Sequence, residues 1–227
     1  MAKYRVRPAV VFWSDLGVKS SPPDRTSAIA SGVAGLVYFA LVLAVIISWL
    51  KVQSTAVDGA SVHENILFRD QRGEFSKVFA SSRFSSNGRF HQVAEIFWSA
   101  SKRDVLRGMH YQGAPGGQSK LVTVVAGEIL DVLLDLRSDS PTFGAVHSEF
   151  LDCESARSVF IPPGVAHGFK VLSASAITLY SVSTEHSASL DLGVRFDSFG
   201  FSWPGGSPIV SDRDLSLPVF APTGSSR

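Results

Sequence analysis

Two histidine-bearing segments, RGMHYQ over residues 107–112 and IPPGVAHGF over residues 161–169, bracket a run of short apolar stretches broken by Gly, Pro, Ser or Asp. Residues 120–125 (KLVTVV) are β-branched and apolar, and residues 129–136 (ILDVLLDL) alternate with Asp131 and Asp135 as their polar members. Such period-two patterning marks half-buried strands. The break at Ala126-Gly127-Glu128 predicts a hairpin between these two strands, and the Ser, Asp and Pro of residues 138–142 carry turn chemistry. Further strands are predicted over 145–150, 158–161, 168–172 and 176–182. Strands at this spacing without long helical periodicity predict an all-β sandwich or barrel, with the two histidines on its inward face.

Composition is consistent with one β domain and an extension. The 227 residues are 45% hydrophobic, enough for a substantial core. A net charge of +1 gives no electrostatic footprint for nucleic acid. The single cysteine, Cys153, excludes an intrachain disulfide and a cysteine-based zinc cage. Residues 1–50 stand apart: 32–50 (GVAGLVYFALVLAVIISWL) form an apolar run long enough for a transmembrane helix. Lys3, Arg5, Arg7, Lys19 and Arg25 precede it, which by the positive-inside rule would export the β domain. Either this segment spans a membrane or translation begins near residues 50–52. The boundaries expected are 1–50 for the extension, 51–220 for the barrel and 221–227 for a tail.

A metal-binding barrel of the cupin kind would need several ligands converging on one point. His110 has no second histidine two residues on and no nearby Glu, and His167 has no close partner ligand. Catalytic sites generally need three protein ligands, so no metal is expected.

Ordered motifs then carry a family resemblance. They are DQRGEF (70–75), VLRGMHYQ (105–112), KLV (120–122), GEILDV (127–132), DLRSDSPTFG (135–144), IPPGVAHGF (161–169), LY (179–180), GVRFD (193–197), WP (203–204) and PIVSDRD (208–214). Residues 51–220 resemble the dTDP-4-dehydrorhamnose 3,5-epimerases, cofactor-free enzymes with a cupin-type jelly-roll barrel that act on nucleotide-linked 4-keto-6-deoxy sugars. Epimerisation beside a ketone needs a base on one face of the sugar, a proton donor on the other and a positive charge at the developing enolate oxygen. The resemblance implies His110 as base, Asp214 as its dyad carboxylate, Tyr180 as opposite-face acid and Lys120 as enolate cation. It also implies substrate contacts at Arg72, Arg107 and Arg213 for the diphosphate, with Gln112, His167 and Asp191 at further positions. Members are homodimers in which an N-terminal strand crosses to the partner, and residues 65–79 are the candidate element. Nucleotide sugars are made in the cytoplasm, so the domain is expected there, with membrane contact only through residues 32–50.

Several positions depart from the family pattern. Lys77 replaces a common Glu, while Glu95 and Phe97 replace a Gln-x-Asn pair that contacts substrate. Glu185-His186 stands where a Tyr-Tyr pair is usual. The nucleotide could therefore be dTDP, GDP or CDP, and epimerisation could be confined to C3. A 3,4-ketoisomerase and a membrane-anchored, non-catalytic sugar-nucleotide binder are the alternatives. His63, His91 and His147 are expected at the surface. Phe196, Phe199, Phe201 and Trp203 are expected to pack at the barrel end.

Overall fold

A computed structural model describes residues 11–12, 52–81 and 92–222. The expected transmembrane segment 32–50 and His91 lie outside these residues. Among the described residues, no helix is long and apolar enough to cross a membrane.

Fourteen strands account for about half of the described residues. They are β1 (Val11–Phe12), β2 (Val52–Ser54), β3 (Ser61–Glu64), β4 (Ile66–Asp70), β5 (Gly73–Lys77), β6 (Glu95–Lys102) and β7 (Leu106–Gln112). Then follow β8 (Lys120–Ala126), β9 (Glu128–Asp135), β10 (Val146–Asp152), β11 (Arg157–Ile161), β12 (Val165–Val171), β13 (Ser175–Val182) and β14 (Asp191–Gly193). A single helical turn, α1 (Asp212–Leu215), comes near the end. The order β2-β3-β11-β8-β13-β6 forms a six-stranded sheet, and β10-β9-β12-β7-β14 forms a five-stranded one. A small third sheet, β1-β4-β5, contains the β4–β5 hairpin.

The two large sheets enclose the core. Val122, Val124, Val159, Ile161, Tyr180 and Val182 from one meet Ile129, Leu133, Val165, Phe169 and Val171 from the other. Each is contributed at period two, because alternate residues of a strand share a face. The opposite face of the five-stranded sheet is buried as well. Met109, Leu130, Val132, Leu134 and Ala166 lie under Phe199, Phe201, Trp203 and Phe220. That covering explains why β9 is buried on both faces. The expected packing role of the C-terminal aromatics is thus observed at Phe199, Phe201 and Trp203, while Phe196 contributes its carbonyl to the indole N–H of Trp203 at 2.9 Å. Lys170, fully buried on this outer face, donates to the carbonyls of Pro204 and Gly206 at 2.8 Å and holds the covering segment down.

Two expectations are corrected. β8 and β9 do not form a hairpin; they belong to different sheets. Gly127 turns the chain from one to the other at φ +77°, and an added Cβ there would lie 2.0 Å from the Ser175 carbonyl oxygen, so close backbone approach dictates the corner. Alternation identifies the inward residues of each strand but does not say which sheet the strand joins. His63 is also not a surface residue: it is buried on β3 between β2 and β11, paired with the Ser61 hydroxyl at 2.9 Å. His147 is partly buried, 3.8 Å from Glu149.

Candidate active site

β7 and β12 bring the two histidine segments together. His110 and His167 are direct cross-strand partners, and a bulge follows between His167 and Phe169. Gly108 and Gly168 make this approach possible. A Cβ on Gly108 would lie 2.4 Å from the Gly168 α-carbon, so neither glycine tolerates a side chain. The close strand approach that these glycines permit sets His110 and His167 side by side.

His110 opens into a cleft between the sheets. Its Nε2 lies 2.7 Å from Asp214 Oδ1, while Asp214 Oδ2 accepts the Gly108 N–H at 3.1 Å. Asp214 is delivered by α1, whose N-cap Ser211 accepts the Asp214 N–H. Burial raises the pKa of this carboxyl, but its hydrogen bonds with His110, Gly108 and Ser211, together with the imidazole's charge, outweigh that and hold it below the usual range. The expected dyad is therefore assembled from residues 104 positions apart in sequence.

His167 carries a second carboxylate. Its Nε2 is 2.6 Å from Asp131 Oδ2, and both side chains are buried. Asp131 was legible only as a polar member of β9; its inward position in the alternation was the available signal.

The facing sheet supplies the remaining groups. Lys120 enters from β8 and donates to the His110 carbonyl at 3.2 Å. Desolvation pulls its pKa down to about 8, against the opposing charges of Asp191 and Asp131. Tyr180, on β13, is only 7% exposed, and burial holds its phenol above its ordinary pKa, which keeps it a proton donor. Phe97 of β6 stacks on it with ring centroids 4.7 Å apart and planes at 14°, and His167 meets it edge-on at 6.1 Å.

The cleft has a volume of about 430 Å³. Glu95, Arg107, Gln112, Asp191 and Arg213 line it with the residues above, as do His186, at the position expected for the family's aromatic pair, and Ser99, which sequence reasoning had not placed there. Arg107 donates to Ser101 at 3.0 Å, and Arg213 pairs with Asp191 at 2.7 Å. His186 lies 3.3 Å from the same Asp191 oxygen, and its backbone N–H donates to Glu95. Gln112 is committed elsewhere: its amide bonds to Gly116, Thr184 and Ser187 and fixes the loops at the rim. Arg72 does not join the cleft. It sits on the β4–β5 hairpin, exposed and paired with Asp70. Among the described residues, no three His, Cys, Asp or Glu side chains are grouped as a metal site.

This cleft can hold an anionic ligand beside a histidine base, a buried phenol and an ammonium group. Comparison with known proteins gives the same direction. Residues 54–222 match the family model described as dTDP-4-dehydrorhamnose 3,5-epimerase. The enzyme of that name from Shigella flexneri is 36% identical over 174 residues, covering 75% of this chain and 96% of the relative. A dTDP-4-dehydrorhamnose 3-epimerase from Streptomyces niveus is 37% identical over 155 residues, covering 67% and 75%. The crystal structure of the 3,5-epimerase from Bacillus anthracis with TDP and pyrophosphate bound superposes with a TM-score of 0.72 at 36% identity, covering 75% of this chain and 99% of that one. The chain belongs to the dTDP-4-dehydrorhamnose 3,5-epimerase family, isomerases that epimerise nucleotide-linked 4-keto-6-deoxy sugars.

Proposed function

We propose that His110 removes the proton at C3 of a dTDP-linked 4-keto-6-deoxy sugar, that Lys120 stabilises the C4 enolate, and that Tyr180 returns a proton to the opposite face. The observation that carries this reading is the placement of the His110–Asp214 dyad on one wall of the cleft and Lys120 and Tyr180 on the other. Asp214 orients the ring and stabilises the imidazolium once formed. A cation at the C4 oxygen favours the enolate far more than the neutral ketone, which is the differential binding that lowers a barrier.

Arg107 and Arg213 are suited to the diphosphate, Arg213 by exchanging its Asp191 contact for a phosphate oxygen. Arg72 would join them from a second subunit: the hairpin bearing it leaves the one-chain cleft, which supports a homodimer with exchanged hairpins. His167, held by Asp131, presents a fixed wall beside the sugar. C3 is proposed as the favoured carbon, since His186 replaces the family's aromatic pair and is tethered to Asp191 instead of lying over the sugar. The cytoplasm, where nucleotide sugars are made, is the proposed site of action.

The test is incubation with 4-keto-6-deoxy sugars linked to dTDP, GDP or CDP in deuterated water, followed by NMR of C3 and C5. Deuterium at C3 ahead of C5, fastest with dTDP and lost in Tyr180→Phe, is the expected result. Undiminished isomerisation in Tyr180→Phe would favour a ketoisomerase.

A further inference from the structure

Each turnover by the proposed mechanism leaves Tyr180 as a phenolate, which must regain a proton before the next. Its surroundings make that difficult. The ring is 7% exposed, stacked against Phe97 and edged by His167, so bulk water has little direct access to it.

Two hydroxyls next to Tyr180 have no other hydrogen-bonding role. Ser99 Oγ and Thr178 Oγ1 are both buried without a hydrogen-bond partner. They belong to cross-strand partners on β6 and β13, two residues along the ladder from the Phe97–Tyr180 pair. Residues two apart on a strand share a face, so Ser99 follows Phe97 along the cleft wall. Its place diagonal to Tyr180 is within reach of a long aromatic side chain. Burial raises the phenol's pKa, and the Ser99 hydroxyl is the strongest influence opposing that rise, although the two fall short of full hydrogen-bond geometry. The row continues to Ser101, whose hydroxyl accepts from Arg107 at 3.0 Å. Unpartnered buried hydroxyls are uncommon, and two together beside an acid call for an explanation.

We propose that Ser99, supported by Thr178, relays a proton from solvent water to Tyr180. As the phenolate takes the Ser99 hydroxyl proton, Ser99 takes one from a water molecule in the cleft, leaving the serine unchanged. The hydroxide left by that water is neutralised by the proton that the His110 imidazolium releases, so the cycle balances without any further reagent. This rests on Tyr180 being the acid of the proposed mechanism.

Ser99→Ala in the full chain tests the relay, because it removes only the hydroxyl. With enzyme in excess, the first deuterium should enter C3 within about twofold of the wild-type rate, since Tyr180 begins protonated. In steady state kcat should fall at least about tenfold, and the ultraviolet band of tyrosinate should accumulate. Ser99→Thr, which keeps a hydroxyl, should recover most of kcat. A merely structural role would slow single and multiple turnovers alike without a tyrosinate signal, and that result would overturn the relay, as would wild-type kcat in Ser99→Ala. Tyr180→Phe separates the two ideas. If it is inactive while Ser99→Ala behaves as wild type, only the relay falls; if it is fully active, the assignment of the acid falls and the relay with it.

Discussion

The cleft contains two histidine–carboxylate pairs of nearly equal length, His110–Asp214 at 2.7 Å and His167–Asp131 at 2.6 Å, on residues that face each other across β7 and β12. Their surroundings differ. The His110 side chain keeps 24% of its surface exposed to the cleft, and its carboxylate comes from a helical turn near the C-terminus. His167 keeps 4%, and its carboxylate comes from the adjacent strand of the same sheet. Asp214 uses its second oxygen on the Gly108 N–H, whereas the second oxygen of Asp131 is buried without a partner. Equal geometry therefore supports unequal tasks. A base must reach substrate and exchange protons with solvent, which suits His110. A buried pair inside the barrel fixes shape and presents a constant wall, which suits His167.

Substitutions can break that distinction. The largest effect is expected for His110→Asn, with C3 exchange falling about 10³-fold or more, the upper range for loss of a general base, while nucleotide binding stays within a few-fold. Binding measured by calorimetry and exchange measured by NMR check the two halves. Asp214→Asn should lower kcat about 10²-fold, because the imidazole loses the group that orients it and balances its charge. His167→Ala should act mainly on folding. It leaves the Asp131 carboxylate buried and unpaired, a change of about 3–5 kcal/mol, measurable as a shift in the denaturant midpoint.

Much of this cleft was legible from motif order. His110, Lys120, Tyr180, Asp214 and His167 converge as expected, although they come from four strands and a C-terminal turn. Asp131 was not assigned because a carboxylate in an alternating strand reads as a solvated residue until the other sheet is known to cover it. The same gap produced the false hairpin at Gly127: strand pattern is local, whereas sheet membership depends on which partners close the core. His63 was misjudged for a related reason, since a polar residue on a short strand gives no sign that neighbours bury it on both sides. Arg72 shows a different limit. Its motif placed it with phosphate contacts, yet one chain alone leaves it outside the cleft.

pH sharpens the comparison on the cation side. Lys120 is desolvated, with a pKa of about 8, so it is charged below that pH and neutral above it. The folded-state pKa is depressed below the usual lysine value, so proton loss near pH 8 would remove the cation proposed to stabilise the enolate. The rate should fall about tenfold per unit above that point, and Lys120→Met should remove this limb along with most of the activity. The smallest effect is expected from metal removal. Exhaustive chelation should leave exchange and thermal unfolding unchanged, and stoichiometric metal whose loss ends turnover would oppose the histidine-base account.

The most direct measurement sets the two pairs side by side: single-turnover deuterium incorporation at C3 by His110→Asn and by His167→Asn, each confirmed folded by its unfolding transition. The account predicts that His110→Asn loses C3 exchange by about 10³-fold, whereas folded His167→Asn retains it within about tenfold. Loss of exchange in His167→Asn with near-normal exchange in His110→Asn would assign the base to the buried pair and contradict the account.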